Sequence, residues 1–137
     1  MAAPIELIKQ VPLFKDLSDK ELKTLAANFT DRSFKAGQEL TTQGEGAAGF
    51  FVIESGEAAV TVDGTERRKL VSGDYFGEVA LIDNGMRTAT VTATSDGKSY
   101  GLTSWQFRPL VEEHASIAWP LLTAMAARVR ELEKSST

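Results

Sequence analysis

The rhythm of apolar and polar positions changes twice along this chain, and the changes divide it into three. The first part is helical in spacing. Ile5, Leu7, Ile8 and Val11 make a short apolar pattern that Pro12 interrupts, since proline has no N–H to donate. Ser18 precedes Glu21 by three residues, the spacing of a capping box. Leu22, Leu25, Ala26 and Phe29 follow at helical intervals, which predicts a helix over 18–29. From Phe34 to Thr103, short β-forming runs alternate with glycines, at 38–42, 50–54, 58–62, 67–71, 89–94 and 99–103. Ala58, Val60 and Val62 share one strand face, as do Ala89, Val91 and Ala93, leaving Thr90, Thr92 and Thr94 to solvent. Many short strands with regularly placed turns predict a compact barrel or roll. Helical spacing then returns. Ser104 is placed to cap a helix carrying Phe107, Leu110 and Val111. A second helix is predicted from near Ser116, with Pro120 in its first turns. Leu121, Leu122, Met125, Val129 and Leu132 form one stripe on it, and residues 134–137 are expected to fray.

Composition narrows the class. A chain of 137 residues supports one domain with one core, and 42% hydrophobic with 25% charged residues is ordinary for a globular protein. The expected division is helical 1–33, roll 34–103 with a short helix at 77–82, and C-terminal helices 104–134. A net charge of −4 counts against a nucleic-acid surface. Cysteine is absent, so no disulfide or thiolate site exists. No apolar run approaches the roughly 18 residues of a membrane span, and no basic-then-apolar leader opens the chain. The expectation is a soluble, cytoplasmic protein.

The candidate chemistry sits in 76–91, Phe-Gly-Glu-Val-Ala-Leu-Ile-Asp-Asn-Gly-Met-Arg-Thr-Ala-Thr-Val. It places one acid, Glu78, and one base, Arg87, among small and apolar neighbours. N–H groups at a helix start lack intrahelical partners and attract anions, and Gly77 lets a ligand approach the backbone. Val79 and Ala80 are then donors, Arg87 adds a two-pronged contact to phosphate oxygens, and Thr88 adds a hydroxyl. A turn at Asp83-Asn84-Gly85 would bring Arg87 back to the short helix. A lone carboxylate suits the hydroxyls of a sugar. One arginine without a Gly-x-x-x-x-Gly-Lys-Ser/Thr loop fits a single phosphodiester charge better than a triphosphate, and no acidic cluster suggests magnesium.

Competing signals are weaker. Gly44-Glu-Gly-Ala-Ala-Gly49 matches a dinucleotide fingerprint, but Phe50-Phe-Val-Ile53 after it reads as a strand where that fold needs a helix. His114 is the single histidine, which excludes most metal and nucleophile schemes, and no enzymatic activity is expected. Arg67-Arg68-Lys69 reads as a solvated strand edge.

The 76–91 segment resembles the phosphate-binding cassette of cyclic nucleotide-binding domains, Phe-Gly-Glu-(apolar)-Ala-Leu followed by Arg-Thr-Ala. The resemblance extends to Pro12-Leu13-Phe14, Ala36-Gly37, Gly44-Glu45, Ser55-Gly56, Gly73-Asp74-Tyr75-Phe76-Gly77 and the closing helices. It implies a mainly β fold with flanking helices: a jelly-roll-like β-roll, or double-stranded β-helix, with an N-terminal helical bundle and C-terminal lid helices. By position it implies that Glu78 binds the ribose 2′-hydroxyl and Arg87 the cyclic phosphate. Gly77, Val79, Ala80, Thr88 and Ala89 would surround the phosphate, with Val60, Val71 and Phe76 on the apolar side of the pocket. Arg128, Val129 and Leu132 are the lid residues to cover the purine, although plain helix packing explains the same stripe. The ligand implied is cAMP in preference to cGMP, with no cofactor or metal. The domain would act as a sensor through movement of its C-terminal helices on an unidentified downstream protein. The alternative is a β-roll interaction module that binds no nucleotide. Similar domains often continue into a DNA-binding helix-turn-helix; this chain ends at Thr137, and no direct DNA contact is expected. The C-terminal stripe either lies on the roll or forms a homodimer seam.

Overall fold

The computed structural model of the protein describes residues 3–44, 49–77, 80–83 and 87–136. The N-terminal layer opens with α1 (Ile5–Lys9), a 3-10 turn at Pro12–Phe14 and α2 (Asp19–Ala26). The capping box at α2 is present on both sides. The Ser18 N–H donates to Glu21 Oε1 at 2.9 Å, and the Glu21 N–H donates to Ser18 Oγ at 3.2 Å. The backbone N–H of Ser18 is the main reason the Glu21 carboxyl sits below its usual range. A carboxyl lowered on folding stabilises the fold above its unfolded titration range and loses that contribution as pH falls through the lowered value. Glu21→Ala, which removes this carboxyl, is therefore expected to destabilise the protein in urea denaturation at neutral pH and less so in acid, whereas Ser18→Ala, which removes the hydroxyl that accepts from the Glu21 N–H, is expected to cost about 1 kcal/mol.

Two four-stranded antiparallel sheets follow. The strands are β1 (Thr30–Phe34), β2 (Glu39–Thr41), β3 (Gly49–Ser55), β4 (Ala58–Val62), β5 (Thr65–Leu70), β6 (Tyr75–Phe76), β7 (Thr90–Ala93) and β8 (Gly97–Thr103). One sheet has the order β1-β8-β3-β6, the other β2-β7-β4-β5. The predicted roll is thus present, but it begins at Thr30, inside the stretch expected to be helical. β1 escapes a pattern reading because only Phe34 of its five residues is buried; pairing with β8, Thr30 opposite Gly101, holds it in place. β6 is two residues long, too short to show alternation. The basic run 67–69 lies on β5, an exposed sheet edge, as expected.

β3 is the shared wall. Phe50 and Val52 point into a cluster with Phe14, Leu22, Leu25, Phe29, Tyr100 and Leu102 beneath the helices. Ile53 and Phe51 point the other way, into the roll interior with Phe34, Ala58, Leu70, Phe76, Val91 and Ala93. Strand alternation alone produces this division.

The chain closes with α3 (Ala80–Asp83) between the sheets' strands in sequence, then α4 (Ser104–Glu113), a 3-10 turn at Ala115–Ile117 and α5 (Ala118–Ser136). Thr103, rather than Ser104, caps α4: its hydroxyl accepts from the Gln106 N–H, and Ser104 is a buried first-turn residue. α5 reaches Ser136, past the expected fraying point. Its predicted single stripe splits in two. Residues 121 and 122 lie about 100° apart on a helix, so Leu121 is buried with Ala124 while Leu122 is exposed.

Candidate functional site

Arg87 is the centre of the site. It is half-buried, and its Nη2 donates to the backbone carbonyl of Gly49, the first residue of β3. Its own carbonyl accepts from the Gly44 N–H at 2.9 Å, and between the same two segments the Gln43 N–H donates to Thr90 Oγ1 at 2.9 Å. The chain on either side of 45–48 therefore fixes both ends of Arg87, backbone by Gly44 and side chain by Gly49.

Gly77 lies directly beneath the guanidinium. Its φ is +86°, a left-handed conformation that a side chain disfavours. A Cβ there would meet the Gly49 carbonyl oxygen at 2.6 Å and the Arg87 guanidinium carbon at 3.1 Å. Gly49 is equally closed to a side chain, because a Cβ would press on the Leu102 carbonyl and stand 3.0 Å from the Thr103 Cα. Two glycines thus let two backbones and one guanidinium converge. Gly77→Ala is expected to lower folding stability by about 1–3 kcal/mol and to push Arg87 off Gly49. Thermal unfolding and a structure of the variant check the two effects.

The other expected residues are placed as follows. Phe76 is buried and stacks on Phe51, ring centroids 5.1 Å apart at 22°. Val60 is half-buried against the roll-interior cluster, and Ala89 is half-buried beside an exposed Thr88. Val71 is exposed, with its N–H on Asp74 Oδ2 at 2.8 Å. Ala80 opens α3. Glu78, Val79, Asn84 and Gly85 lie outside the described residues. The lid residues are on α5, which packs on the 3-10 turns at 12–14 and 115–117. Arg128 lines a cavity of about 410 Å³ with Pro12, Leu13, Lys15 and Tyr75, while Val129 and Leu132 are exposed.

Two contributors were not singled out from sequence. The Gly49 carbonyl anchors Arg87, yet a carbonyl belongs to every residue and carries no pattern. Leu81 of α3 is buried in the same cluster as Phe107 and Leu121 of the C-terminal helices, which ties the site segment to them. Its place in the apolar run 79–82 is the one signal that pointed to it. Among the described residues no group of three or more His, Cys, Asp or Glu is placed to hold a metal ion. His114 is exposed at the C-terminal end of α4, and no described helix is long and apolar enough to cross a membrane.

Comparisons with known proteins bear on the family and the fold. The family model described as "Cyclic nucleotide-binding domain" matches residues 31–114. A cAMP-dependent protein kinase regulatory subunit of Yarrowia lipolytica is 43% identical over 88 residues, 63% of this chain and 24% of that protein. A cGMP-dependent protein kinase of Eimeria tenella is 37% identical over 101 residues, 73% of this chain and 10% of that protein. The chain thus spans a small part of these curated relatives. The crystal structure of the N-terminal domain of a transcriptional regulator from Streptomyces coelicolor A3(2) superposes with a TM-score of 0.85 at 27% identity, covering 94% of this chain and 93% of that one.

Proposed function

Because this chain belongs to the cyclic nucleotide-binding domain family, we propose that it binds cAMP in preference to cGMP and regulates a partner through its C-terminal helices. The observation that carries the reading is the Arg87 guanidinium, held by the Gly49 carbonyl over Gly77. A guanidinium fixed in place presents a planar fork to phosphate oxygens at little entropic cost. In this reading Arg87 takes the cyclic phosphate and Glu78 the ribose 2′-hydroxyl. The backbone at Gly77, Val79, Ala80 and Ala89 and the Thr88 hydroxyl complete the polar side. Phe76, Val60 and Val71 form the apolar side. The preference for cAMP is supported by the relative named as a cAMP-dependent protein kinase regulatory subunit.

Output runs through Leu81. The phosphate draws the 77–87 segment around itself, α3 shifts, and Leu81 moves the cluster that holds Phe107 of α4 and Leu121 of α5. Arg128, Val129 and Leu132 then cover the purine. The ligand drives this only by its difference in affinity between the two arrangements. We read the domain as a cytoplasmic binding module rather than an enzyme, with the protein it controls as its main partner and no direct contact to DNA.

A thermal-shift assay with cAMP, cGMP and AMP tests the proposal. Cyclic nucleotide at 100 times its dissociation constant adds about 2.7 kcal/mol of stability, with AMP inert and cAMP effective at lower concentration than cGMP. No shift with either cyclic nucleotide at millimolar concentration overturns it in favour of a β-roll interaction module.

A further inference from the structure

The segment that holds the Arg87 main chain is itself held from outside the site. The successive N–H groups of Gln43 and Gly44 donate to Thr90 Oγ1 and to the Arg87 carbonyl, each at 2.9 Å. The side chain of Gln43, a half-buried residue, reaches the tip of the β4–β5 hairpin. Its Nε2 donates to Asp63 Oδ1 at 2.9 Å, and its Oε1 accepts from the Asp63 N–H at 2.8 Å. The pairing is reciprocal, so neither residue can slide past the other without breaking both bonds. Asp63 and Gly64 form the turn between Val62 and Thr65, which pair across the hairpin. Their φ values of 51° and 80° are both left-handed, as a tight hairpin turn of this hand requires. Among the described residues Asp63 is the one non-glycine with a positive φ. Glycine would serve the turn as well, but it has no side chain to meet Gln43.

We propose that Gln43 is a positioning residue for Arg87. Paired with Asp63, it sets the 43–44 segment, and through it the Arg87 main chain, against the hairpin whose β4 carries Val60. The inference rests on the reading of Arg87 as the phosphate ligand. Gln43 acts through Arg87 and not by a ligand contact of its own. The bridge runs Asp63, Gln43, Gly44, Arg87, and it links the polar side of the site to the strand on its apolar side. With it in place, the Arg87 main chain is fixed before a ligand arrives. Without it, the 43–44 segment is held by Thr90 and Arg87 alone, and ligand binding must complete its ordering.

Calorimetric titration of the whole chain with cAMP, beside thermal unfolding, tests this. Gln43→Ala is expected to bind about three- to tenfold more weakly, the range of one net hydrogen bond. Asp63→Gly keeps the backbone donor and relieves the left-handed strain, so it should unfold close to wild type and yet bind more weakly. Asp63→Asn keeps an oxygen for the Gln43 amide and should retain wild-type affinity. Gln43→Ala and Asp63→Gly together should lose no more than Gln43→Ala alone, because both cut the same bridge. Affinity that falls only in step with melting temperature overturns the proposal, since a bond of purely structural worth gives that result. So does Gln43→Ala binding as tightly as wild type, or Asp63→Asn binding as weakly as Asp63→Gly. A wild type that binds no cyclic nucleotide is a different failure: it overturns the function proposed above, and this inference with it.

Discussion

Arg87→Ala is expected to lower cAMP affinity by roughly 30- to several-thousand-fold, equivalent to about 2–5 kcal/mol. The loss has two origins. The phosphate forfeits a charge-assisted, two-pronged partner in a half-buried position. The Gly49 carbonyl also loses the donor it accepts from. Arg87→Lys separates the two contributions, since an ammonium keeps the charge but not the planar fork; its affinity should fall between alanine and wild type. Calorimetric titration of the three proteins checks the order. Alanine binding as tightly as arginine would remove Arg87 from the site and the proposed function with it.

The largest stability effect belongs to Phe50→Ala, expected to cost about 3–5 kcal/mol. Phe50 is fully buried and meets Phe14 edge-on at 5.7 Å, Phe29 edge-on at 5.9 Å and Tyr75 at 6.1 Å. Three rings from three separate stretches of chain meet on one side chain, so the cavity has no single neighbour able to collapse into it. A domain of this size has about 5–15 kcal/mol in total, which leaves the variant marginally stable. Urea unfolding monitored by circular dichroism measures the loss. A cost below about 1 kcal/mol would mean that the surrounding rings close the gap and that the cluster is less rigid than its geometry implies. Because Phe50 follows Gly49 in the chain, cAMP should also bind more weakly to this variant and partly restore its melting temperature.

How much could be read beforehand depends on whether a feature is written in side chains. The α2 cap was legible because Ser18 and Glu21 both act through their side chains. β4 was read with its observed limits because Ala58, Val60 and Val62 alternate with polar or small residues. β1 was not, since four of its five residues are at least partly exposed and backbone pairing alone defines it. Thr103 and Ser104 are adjacent hydroxyls equally able to cap; Gln106, three residues after Thr103, decided between them by completing the box. In the site, Arg87 and Gly77 stood out by type. The Gly49 carbonyl did not, because its part in the site is played by backbone oxygen. The stripe on α5 was seen as one because leucines 121 and 122 are neighbours in sequence, although the helix turns them to different sides.

The double-sided packing of β3 has a consequence for how the molecule opens. Its Phe50 and Val52 belong to the helical cluster, and its Phe51 and Ile53 to the roll interior. Neither cluster can come apart without stripping one face of the same strand. The two therefore unfold together, and there is no low-energy seam along which the helices peel from the roll. In deuterated solvent, amide protons in the middle of β3, bonded between β8 and β6, should exchange only through complete unfolding. Those of β5, on an exposed edge, should exchange by local opening long before. In the proposed function, the signal then passes along α3 and the C-terminal helices, with the strand behind Arg87 as the fixed frame.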